Sequence, residues 1–198
     1  VYGFTTIKNA IPKQKIDDLL QRVENGYSQI KNHKDIGLSA RDADDKMVYN
    51  LQNKDIEFIN ILDYQPVKEI LIRKLNDKYY RFIDEAHPNY ILNYYNARSS
   101  GSYLPLHIDS HIPSPGSHTW AMQVVFLLED MDQNNGCTTV VPGSHLSGRY
   151  TDRDLTNLKY INASAGDIVI WDSRLWHGTA ENVSHASRWA LVATFTLS

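Results

Sequence analysis

The sequence predicts a mainly β protein with flanking α-helices, in which a jelly roll or a related sandwich barrel follows a helical front. Apolar residues recur at helical spacing before Pro88, whereas short runs rich in Tyr, Ile, Val, Thr and Trp, bounded by turn residues, come after it. Strands and helices do not alternate along the chain, which disfavours a parallel, doubly wound sheet. A chain of 198 residues favours one domain, and we expect the helical front over 1–88 to pack on a β core over 89–198.

Three helices are predicted in the front. The first covers 12–25, which begins on a proline and carries apolar residues at helical spacing. Asn53 is the predicted cap of a short second helix, and Pro66 opens a third helix that ends before Pro88. The polar stretch 31–46 has no sustained period, and we interpret it as a long loop or a lid.

Six strands are predicted behind the helices, because β-branched and aromatic residues cluster there in short runs between Gly, Pro, Asn and Ser. These strands cover residues 90–98, 119–129, 137–141, 157–162, 167–172 and 188–197. Several short strands in one half of a chain are typical of a jelly roll or a related barrel.

The composition argues against several classes of partner. Twenty Lys and Arg residues against 23 Asp and Glu residues give a formal net charge of -3 without any basic block, which does not support nucleic-acid binding. The apolar run 124–128 is too short to span a bilayer, and no signal-like segment opens the chain. The single cysteine, Cys137, excludes a disulfide scaffold and favours a reducing compartment. We therefore expect a cytoplasmic protein with a small-molecule substrate.

Metal-binding chemistry is predicted in the second half of the chain. His107 and Asp109 are two residues apart, a spacing that directs both side chains to the same side of an extended segment. His177 follows the apolar run 168–171 and is well placed to add a third ligand from a neighbouring strand. Two histidines and one carboxylate form the ligand set of non-haem Fe(II) oxygenases, and they leave three coordination positions open. The alternative interpretation is a pair of ordinary hydrogen-bonded histidines.

A second His-x-Asp triplet, at 33–35, lies in the polar loop of the front and is interpreted as solvated surface. Arg188, in contrast, begins the last predicted strand, where small residues at alternate positions leave room for a ligand. Its guanidinium is suited to bind a carboxylate through two parallel hydrogen bonds. Thr179, two residues beyond His177, is predicted to add a hydroxyl group to the same carboxylate.

Taken together, these motifs resemble the phytanoyl-CoA dioxygenase family of Fe(II)- and 2-oxoglutarate-dependent oxygenases. The resemblance covers residues 90–197, in which the matching stretches are His107-Ile108-Asp109, Asn135-Gly136-Cys137, Val141-Pro142-Gly143-Ser144-His145, Gly166-Asp167, and His177 with Arg188. It implies a double-stranded β-helix, a jelly roll of the cupin-like barrel type.

The resemblance also implies roles for individual residues. His107, Asp109 and His177 would bind Fe(II), and Arg188 would hold the distal carboxylate of 2-oxoglutarate. A polar residue before the metal motif would lie against this cosubstrate, and the matching positions are Asn96 or Tyr94 on the same strand face.

The implied reaction is hydroxylation, in which O2 converts 2-oxoglutarate to succinate and CO2 while a substrate C–H bond gains oxygen. Halogenating relatives lack the carboxylate that Asp109 supplies, so its presence favours hydroxylation over halogenation. Two alternatives stay open. One is a cupin-like isomerase or hydrolase that uses Zn²⁺ or Mn²⁺ without 2-oxoglutarate, and the other is a noncatalytic barrel that binds a ligand.

The remaining candidate residues are interpreted as structural. His145 belongs to a turn that positions a strand or an iron ligand, and Cys137 is interpreted as a buried, inert thiol. Four side chains are interpreted as surface groups, with substrate contact as the alternative: His111, His118, Arg98 and Arg174. The tryptophans are expected in the core or the barrel wall, with Trp120 or Trp176 the candidates for lining a pocket: Trp120, Trp171, Trp176 and Trp189.

Overall fold

Two antiparallel sheets and three helices make up the computed structural model, which describes residues 2–30, 45–75, 90–99, 102–152, 156–184 and 186–197. The helices are α1 (Lys13–Ser28), α2 (Ile56–Asn60) and α3 (Gln65–Leu75). The strands are β1 (Phe4–Ile7), β2 (Lys46–Val48), β3 (Tyr90–Ser99), β4 (Leu104–His107), β5 (Ala121–Leu127), β6 (Thr138–Val140), β7 (Lys159–Tyr160), β8 (Ile168–Asp172), β9 (His177–Thr179) and β10 (Ala190–Leu197).

The larger sheet has the strand order β1-β8-β5-β10-β3-β2, and the smaller sheet has the order β4-β9-β6-β7. On β5, Val124 and Phe126 pack toward the helices, whereas Val125 and Leu127 pack toward the smaller sheet. This alternation follows from the two-residue period of a strand, so one sheet has an apolar core on each face. The arrangement is the jelly roll with flanking helices that the sequence predicts.

The helices cover the outer face of the larger sheet. On α3, Val67, Leu71 and Leu75 recur every four residues and are fully buried in the same apolar cluster as Val124 and Phe126 of β5. The predicted first helix, 12–25, is observed as α1 with three more residues at its end. Predictions about 31–44 and about the third helix beyond Leu75 lie outside the described residues.

The predicted cap of the second helix is wrong. The N-cap is Asp55, whose Oδ1 accepts a 3.0 Å hydrogen bond from the backbone N–H of Glu57. Asn53 instead ends a short 3₁₀ segment that precedes the helix. Both residue types cap helices well, so composition alone does not distinguish them.

Four short strands were not among the six predicted ones. β1 pairs with β8 at one edge of the larger sheet, and β2 pairs with β3 at the other edge. The front is therefore not purely helical, and Lys46 begins a strand where the sequence predicts a loop. β4 and β9 pair with each other in the smaller sheet. No helix within the described ranges combines the length and the apolar character that a membrane span requires.

The turn before β8 is fixed by a buried carboxylate. Asp167 is 1% exposed and accepts hydrogen bonds from Lys8 Nζ at 2.7 Å and from the backbone N–H groups of Asn9 and Ser164, both at 2.9 Å. Burial works against ionisation, but these hydrogen bonds outweigh it and hold the pKa of Asp167 below its ordinary value. Asp167 thereby joins the segment after β1 to the start of β8.

Replacing Asp167 by asparagine is expected to destabilise the protein by about 2 kcal/mol at neutral pH, because hydrogen bonds to a charged acceptor are lost. The folded-state pKa is the lower one, so this contribution is present above the unfolded pKa of about 4 and is lost as the pH falls below it. Urea unfolding of both proteins between about pH 7 and pH 3 measures this difference. The D17N variant is the control, because Asp17 pairs with Lys13 at the surface. A difference between wild type and D167N that does not shrink toward acidic pH would contradict the prediction.

Candidate metal centre

Three potential ligands converge between β4, β9 and the segment that follows β4. His107 and His177 are directly opposite each other in the antiparallel ladder. Asp109 lies two residues beyond β4, where its backbone N–H donates to Ser173 O at 2.8 Å. The ligand atoms of these two imidazoles and this carboxylate all lie within 4.8 Å of one another.

The spacing of the ligand atoms suits one divalent ion. Asp109 Oδ2 lies 3.1 Å from His177 Nε2, and Asp109 Oδ1 lies 3.5 Å from His107 Nε2. Ligand atoms bound at about 2.1 Å and at right angles to one another are about 3 Å apart. The donor set and its spacing therefore fit a facial triad, the arrangement that leaves coordination positions free for other molecules.

Backbone carbonyls orient both imidazoles. His107 Nδ1 lies 3.0 Å from Pro105 O, and His177 Nδ1 lies 2.9 Å from Leu175 O. A carbonyl accepts a hydrogen bond only, so each Nδ1 carries a proton, and in the neutral imidazole the lone pair is on Nε2, where a metal ion would bind. Both histidines thus use the carbonyl two residues before them.

The site is charged appropriately for a cation and is open on one side. Burial works against ionisation of Asp109, but when the two imidazoles are protonated, the charges of His177 and His107 and their hydrogen bonds outweigh it and hold the pKa of Asp109 well below its ordinary value. The side chain of His177 is 7% exposed, whereas those of His107 and Asp109 are 35% and 27% exposed. A ligand can therefore approach from the side of His107 and Asp109.

Gly178 permits the close contact of β9 with β4. A Cβ at this position would lie 2.5 Å from Leu104 O and 3.2 Å from Thr139 Oγ1. Real Cβ atoms essentially never approach a backbone atom so closely, so a side chain here would push the two strands apart. The absence of a side chain thus holds the neighbouring His177 in register with His107.

Replacing Gly178 by alanine is expected to cost about 1–3 kcal/mol of stability, as overpacking does in other cores. It is also expected to weaken metal binding about tenfold or more, because His177 moves with its strand. Thermal unfolding and calorimetric titration with Ni²⁺ measure the two effects. The control is G26A on α1, far along the chain from the site, which should leave metal affinity unchanged. Metal affinity in G178A equal to that of wild type would refute this role of Gly178.

Arg188 lies two residues before β10 and is a buried cation. Its backbone N–H donates to Ser99 Oγ at 2.8 Å, its Nε donates to Asn135 O at 3.1 Å, and its Nη1 lies 3.5 Å from Met131 Sδ. Among the residues that the structure describes, no carboxylate pairs with the guanidinium. Burial, with a contribution from the charge of Arg98, lowers the pKa of Arg188 to about 10, so it stays charged at neutral pH. A buried cation without a counter-ion is costly and suits an anionic ligand.

The other residues predicted to contact the cosubstrate face the space between the two sheets. Tyr94 and Asn96 alternate with Tyr95, which faces the helices, and therefore point toward the inside of the barrel. Asn96 Oδ1 accepts a hydrogen bond from Asn50 N at 2.8 Å, so its amide N–H groups are what it can offer a ligand. Thr179 lies two residues beyond His177 on β9 and faces the same side.

The interpretation of Arg174 as a surface charge is wrong. Arg174 is 3% exposed, and its Nε and Nη2 donate to the two carboxylate oxygens of Asp172 at 2.9 and 2.8 Å. Its Nη1 donates to the carbonyls of Ser114 and Gly116. This buried ion pair joins the end of β8 to the loop that follows Asp109, and it leaves Arg174 unavailable to a substrate.

The prediction that Trp120 is buried is also wrong. Trp120 is 52% exposed, where its ring packs edge-on against His118 and its Nε1 donates to Ser114 Oγ at 3.2 Å. The other three tryptophans are buried as predicted, and the ring of Trp171 lies 5.2 Å from that of His177. The predictions that His111 and His118 are exposed and that Cys137 is buried are confirmed.

His145 lies apart from the three ligands. It borders a cavity of about 390 Å³ that is formed by the first residues of the chain, the end of α3 and the loop before β5. Its ring packs against Gly3, where any Cβ would lie within 3 Å of three ring atoms. None of the three ligands lines this cavity, which is therefore separate from the candidate metal centre.

Comparisons of sequence identify a family. The sequence model of the family described as "Phytanoyl-CoA dioxygenase (PhyH)" matches residues 1–190. "Dioxygenase af480" of Aspergillus fumigatus is 38% identical over 95 residues, which are 44% of this chain and 30% of that protein. "Uncharacterized protein Rv1501" of Mycobacterium tuberculosis is 31% identical over 80 residues, 39% of this chain and 29% of that protein. The matched regions thus span less than a third of the length of these curated relatives.

Solved structures share the fold at low sequence identity. HygX from Streptomyces hygroscopicus, with nickel and 2-oxoglutarate bound, is 13% identical with a TM-score of 0.77, covering 100% of this chain and 84% of that chain. SnoN, described as a non-heme alpha ketoglutarate dependent epimerase from nogalamycin biosynthesis, is 15% identical with a TM-score of 0.72, covering 98% and 78%. At this level of identity, the similarity establishes the fold.

Proposed function

Because this chain belongs to the phytanoyl-CoA dioxygenase family, whose members use Fe(II), 2-oxoglutarate and O2, we propose that it hydroxylates a small molecule. The observation that carries the proposal is the convergence of His107, Asp109 and His177 in the same barrel as the buried guanidinium of Arg188, which forms no ion pair with an acid among the described residues. In this proposal the three side chains bind Fe(II), and Arg188 binds the distal carboxylate of 2-oxoglutarate. The bound iron would supply the activation of O2.

The proposed reaction converts a substrate C–H group, 2-oxoglutarate and O2 into the hydroxylated product, succinate and CO2. The contribution of the chain is to hold the reacting groups in place. Pro105 O and Leu175 O fix the tautomers of the two histidines, and Ser173 O fixes the backbone at Asp109. The apolar residues between the two sheets exclude water from the inner side of the centre.

The proposal assigns supporting roles to three further side chains. Thr179 would donate its hydroxyl to the distal carboxylate, while Asn96 or Tyr94 would contact the cosubstrate between the metal and Arg188. Their positions support this assignment, because Tyr94 is opposite Thr194 in the ladder and Asn96 is opposite Val192, on the side of the sheet that faces the barrel.

The proposed substrate class is a small organic molecule. HygX has been solved with hygromycin B and SnoN with nogalamycin RO, which are both small-molecule ligands. The presence of Asp109 supports hydroxylation over halogenation, since this carboxylate occupies the position that a halide would need. The similarity to an epimerase makes inversion of a C–H stereocentre the second candidate reaction.

Formation of succinate tests the proposed activity without a known substrate. The Fe(II)-loaded protein should convert 2-oxoglutarate to succinate under O2 at a slow rate that exceeds those of the metal-free protein and of the D109A variant. No succinate above these two controls would favour a noncatalytic barrel. Once a substrate is found, a product that gains one oxygen atom from ¹⁸O2 supports hydroxylation, whereas a product of unchanged mass supports epimerisation.

A further inference from the structure

Arg98 lies beside Arg188 on the inner side of the larger sheet. On β3, Tyr95 and Ala97 belong to the apolar core under the helices, so the alternating Arg98 points toward the inside of the barrel. Arg98 is directly opposite Ala190 of β10, and the backbone N–H of Arg188 donates to the side chain of Ser99, the next residue of β3. The side chain of Arg98 on β3 therefore starts close to that of Arg188 just before β10, and the charge of Arg98 acts on Arg188.

Neither arginine forms an ion pair with an acid in the described part of the chain. Arg98 interacts electrostatically with Tyr49, and the guanidinium of Arg188 donates to a carbonyl and a thioether. Two acids, Asp45 and Glu129, attract Arg188 without forming an ion pair with it. Asp45 accepts a hydrogen bond from Ser102 N at 3.3 Å, and Glu129 accepts hydrogen bonds from Trp189 N at 2.6 Å and Ser187 Oγ at 3.0 Å. Two adjacent cations in a partly buried site repel each other unless an anion lies between them.

The hydrogen bonds that Arg188 already makes limit how it can bind a carboxylate. Its Nε donates to Asn135 O and its Nη1 is directed at Met131 Sδ, so the side-on pair formed by Nε and one terminal nitrogen is not available. Only the terminal nitrogens remain for a ligand. A carboxylate offers about four acceptor positions on its two oxygens, which is more than the remaining N–H groups of Arg188 can fill. A second arginine can donate to the acceptor positions that stay free.

We propose that Arg98 and Arg188 together bind the distal carboxylate of 2-oxoglutarate and thereby select 2-oxo acids that carry a second carboxylate. This inference rests on the proposed function, and it adds to it a specificity residue. The barrel-facing position of Arg98, its register with Ala190 and its closeness to the charge of Arg188 carry the inference.

Calorimetric titration of the Ni²⁺-loaded protein, in which turnover is prevented, tests the two-arginine site. The ligands are 2-oxoglutarate and 2-oxovalerate, which has the same carbon chain but no distal carboxylate. In R98Q, the Kd for 2-oxoglutarate should rise about tenfold to a hundredfold, while the Kd for 2-oxovalerate stays within about twofold of wild type. R98K should be intermediate for 2-oxoglutarate, because an ammonium keeps the charge but not the planar fork. R73Q, on the exposed side of α3, is the control and should match wild type.

Two results would overturn the inference: unchanged 2-oxoglutarate affinity in R98Q, or equal weakening of both acids. Its failure can be told apart from failure of the proposed function. If the wild type binds 2-oxoglutarate and R188Q weakens that binding while R98Q does not, only the role of Arg98 is wrong. If the wild type binds no 2-oxoglutarate at all, both the proposed function and the role of Arg98 are wrong.

Discussion

The D109A variant is expected to lose turnover and to bind divalent metal more than a hundredfold more weakly than wild type. Asp109 is the anionic member of the candidate ligand set, and its oxygens lie 3.1 and 3.5 Å from the Nε2 atoms of His177 and His107. Removing a partner that only orients a metal ligand costs tenfold to a hundredfold in affinity, so removing the ligand itself should cost more. Calorimetric titration with Ni²⁺ and the assay for succinate measure the two losses.

The matched control for D109A is H118A. His118 is exposed on the loop after Asp109 and is not among the three convergent side chains, so H118A should keep both metal affinity and turnover. Circular dichroism establishes that each variant is folded before it is assayed. Wild-type metal affinity in D109A would mean that the three side chains are ordinary hydrogen-bonded groups.

The second large effect is expected for Arg188, where the R188M variant should bind 2-oxoglutarate about a hundredfold or more weakly. Removing one partner of a buried, hydrogen-bonded charge pair costs about 2–5 kcal/mol, and each 1.4 kcal/mol is a factor of ten. Affinity for Ni²⁺ should stay unchanged, because Arg188 is not a ligand. Titration of 2-oxoglutarate into the Ni²⁺-loaded variant measures the loss. Turnover that is insensitive to the substitution would favour the metal-dependent isomerase or hydrolase instead.

Stability provides an independent readout of the same substitution. Arg188 has no acidic partner among the described residues, so R188M should leave the ligand-free protein at least as stable as wild type. Arg174 is the matched contrast, since it is equally buried but paired with Asp172. R174M leaves a buried carboxylate unpaired and should cost about 3–5 kcal/mol. Equal destabilisation by the two substitutions in thermal unfolding would contradict the description of Arg188 as an unneutralised cation.

The sequence predicts those helices and strands whose local residue pattern is enough to identify them. α1 and α3 carry apolar residues at helical spacing, and β5, β8 and β10 are runs of β-branched and aromatic residues. The short strands β1, β2, β4 and β9 have three or four residues each and are not among the predicted strands. They are strands because a partner strand supplies their hydrogen bonds, which is information from tertiary structure.

The candidate site was predictable where a side chain supplies the chemistry. Residue type, spacing and order indicate His107, Asp109 and His177 as candidate ligands, and the structure places their potential ligand atoms together. The carbonyls of Pro105 and Leu175 were not predictable, because every residue carries a carbonyl and only the fold decides which ones accept a hydrogen bond.

Errors arose where a partner decides whether a polar or aromatic group is buried. Residue type predicts an exposed Arg174, because charged side chains usually are exposed, but Asp172 and two loop carbonyls satisfy it inside the protein. Residue type also predicts a buried Trp120, because aromatic side chains usually are buried, yet Trp120 lies on the surface against His118. In both cases residue type gave an average tendency, and the neighbours determined the outcome.

A crystal structure of the protein prepared without oxygen, with Fe(II) and 2-oxoglutarate, would show both proposed binding sites at once. We expect an anomalous iron peak bonded to His107 Nε2, Asp109 and His177 Nε2, with the distal carboxylate of 2-oxoglutarate on the guanidinium of Arg188. Iron bound elsewhere, or a cosubstrate whose distal carboxylate lies away from Arg188, would contradict it.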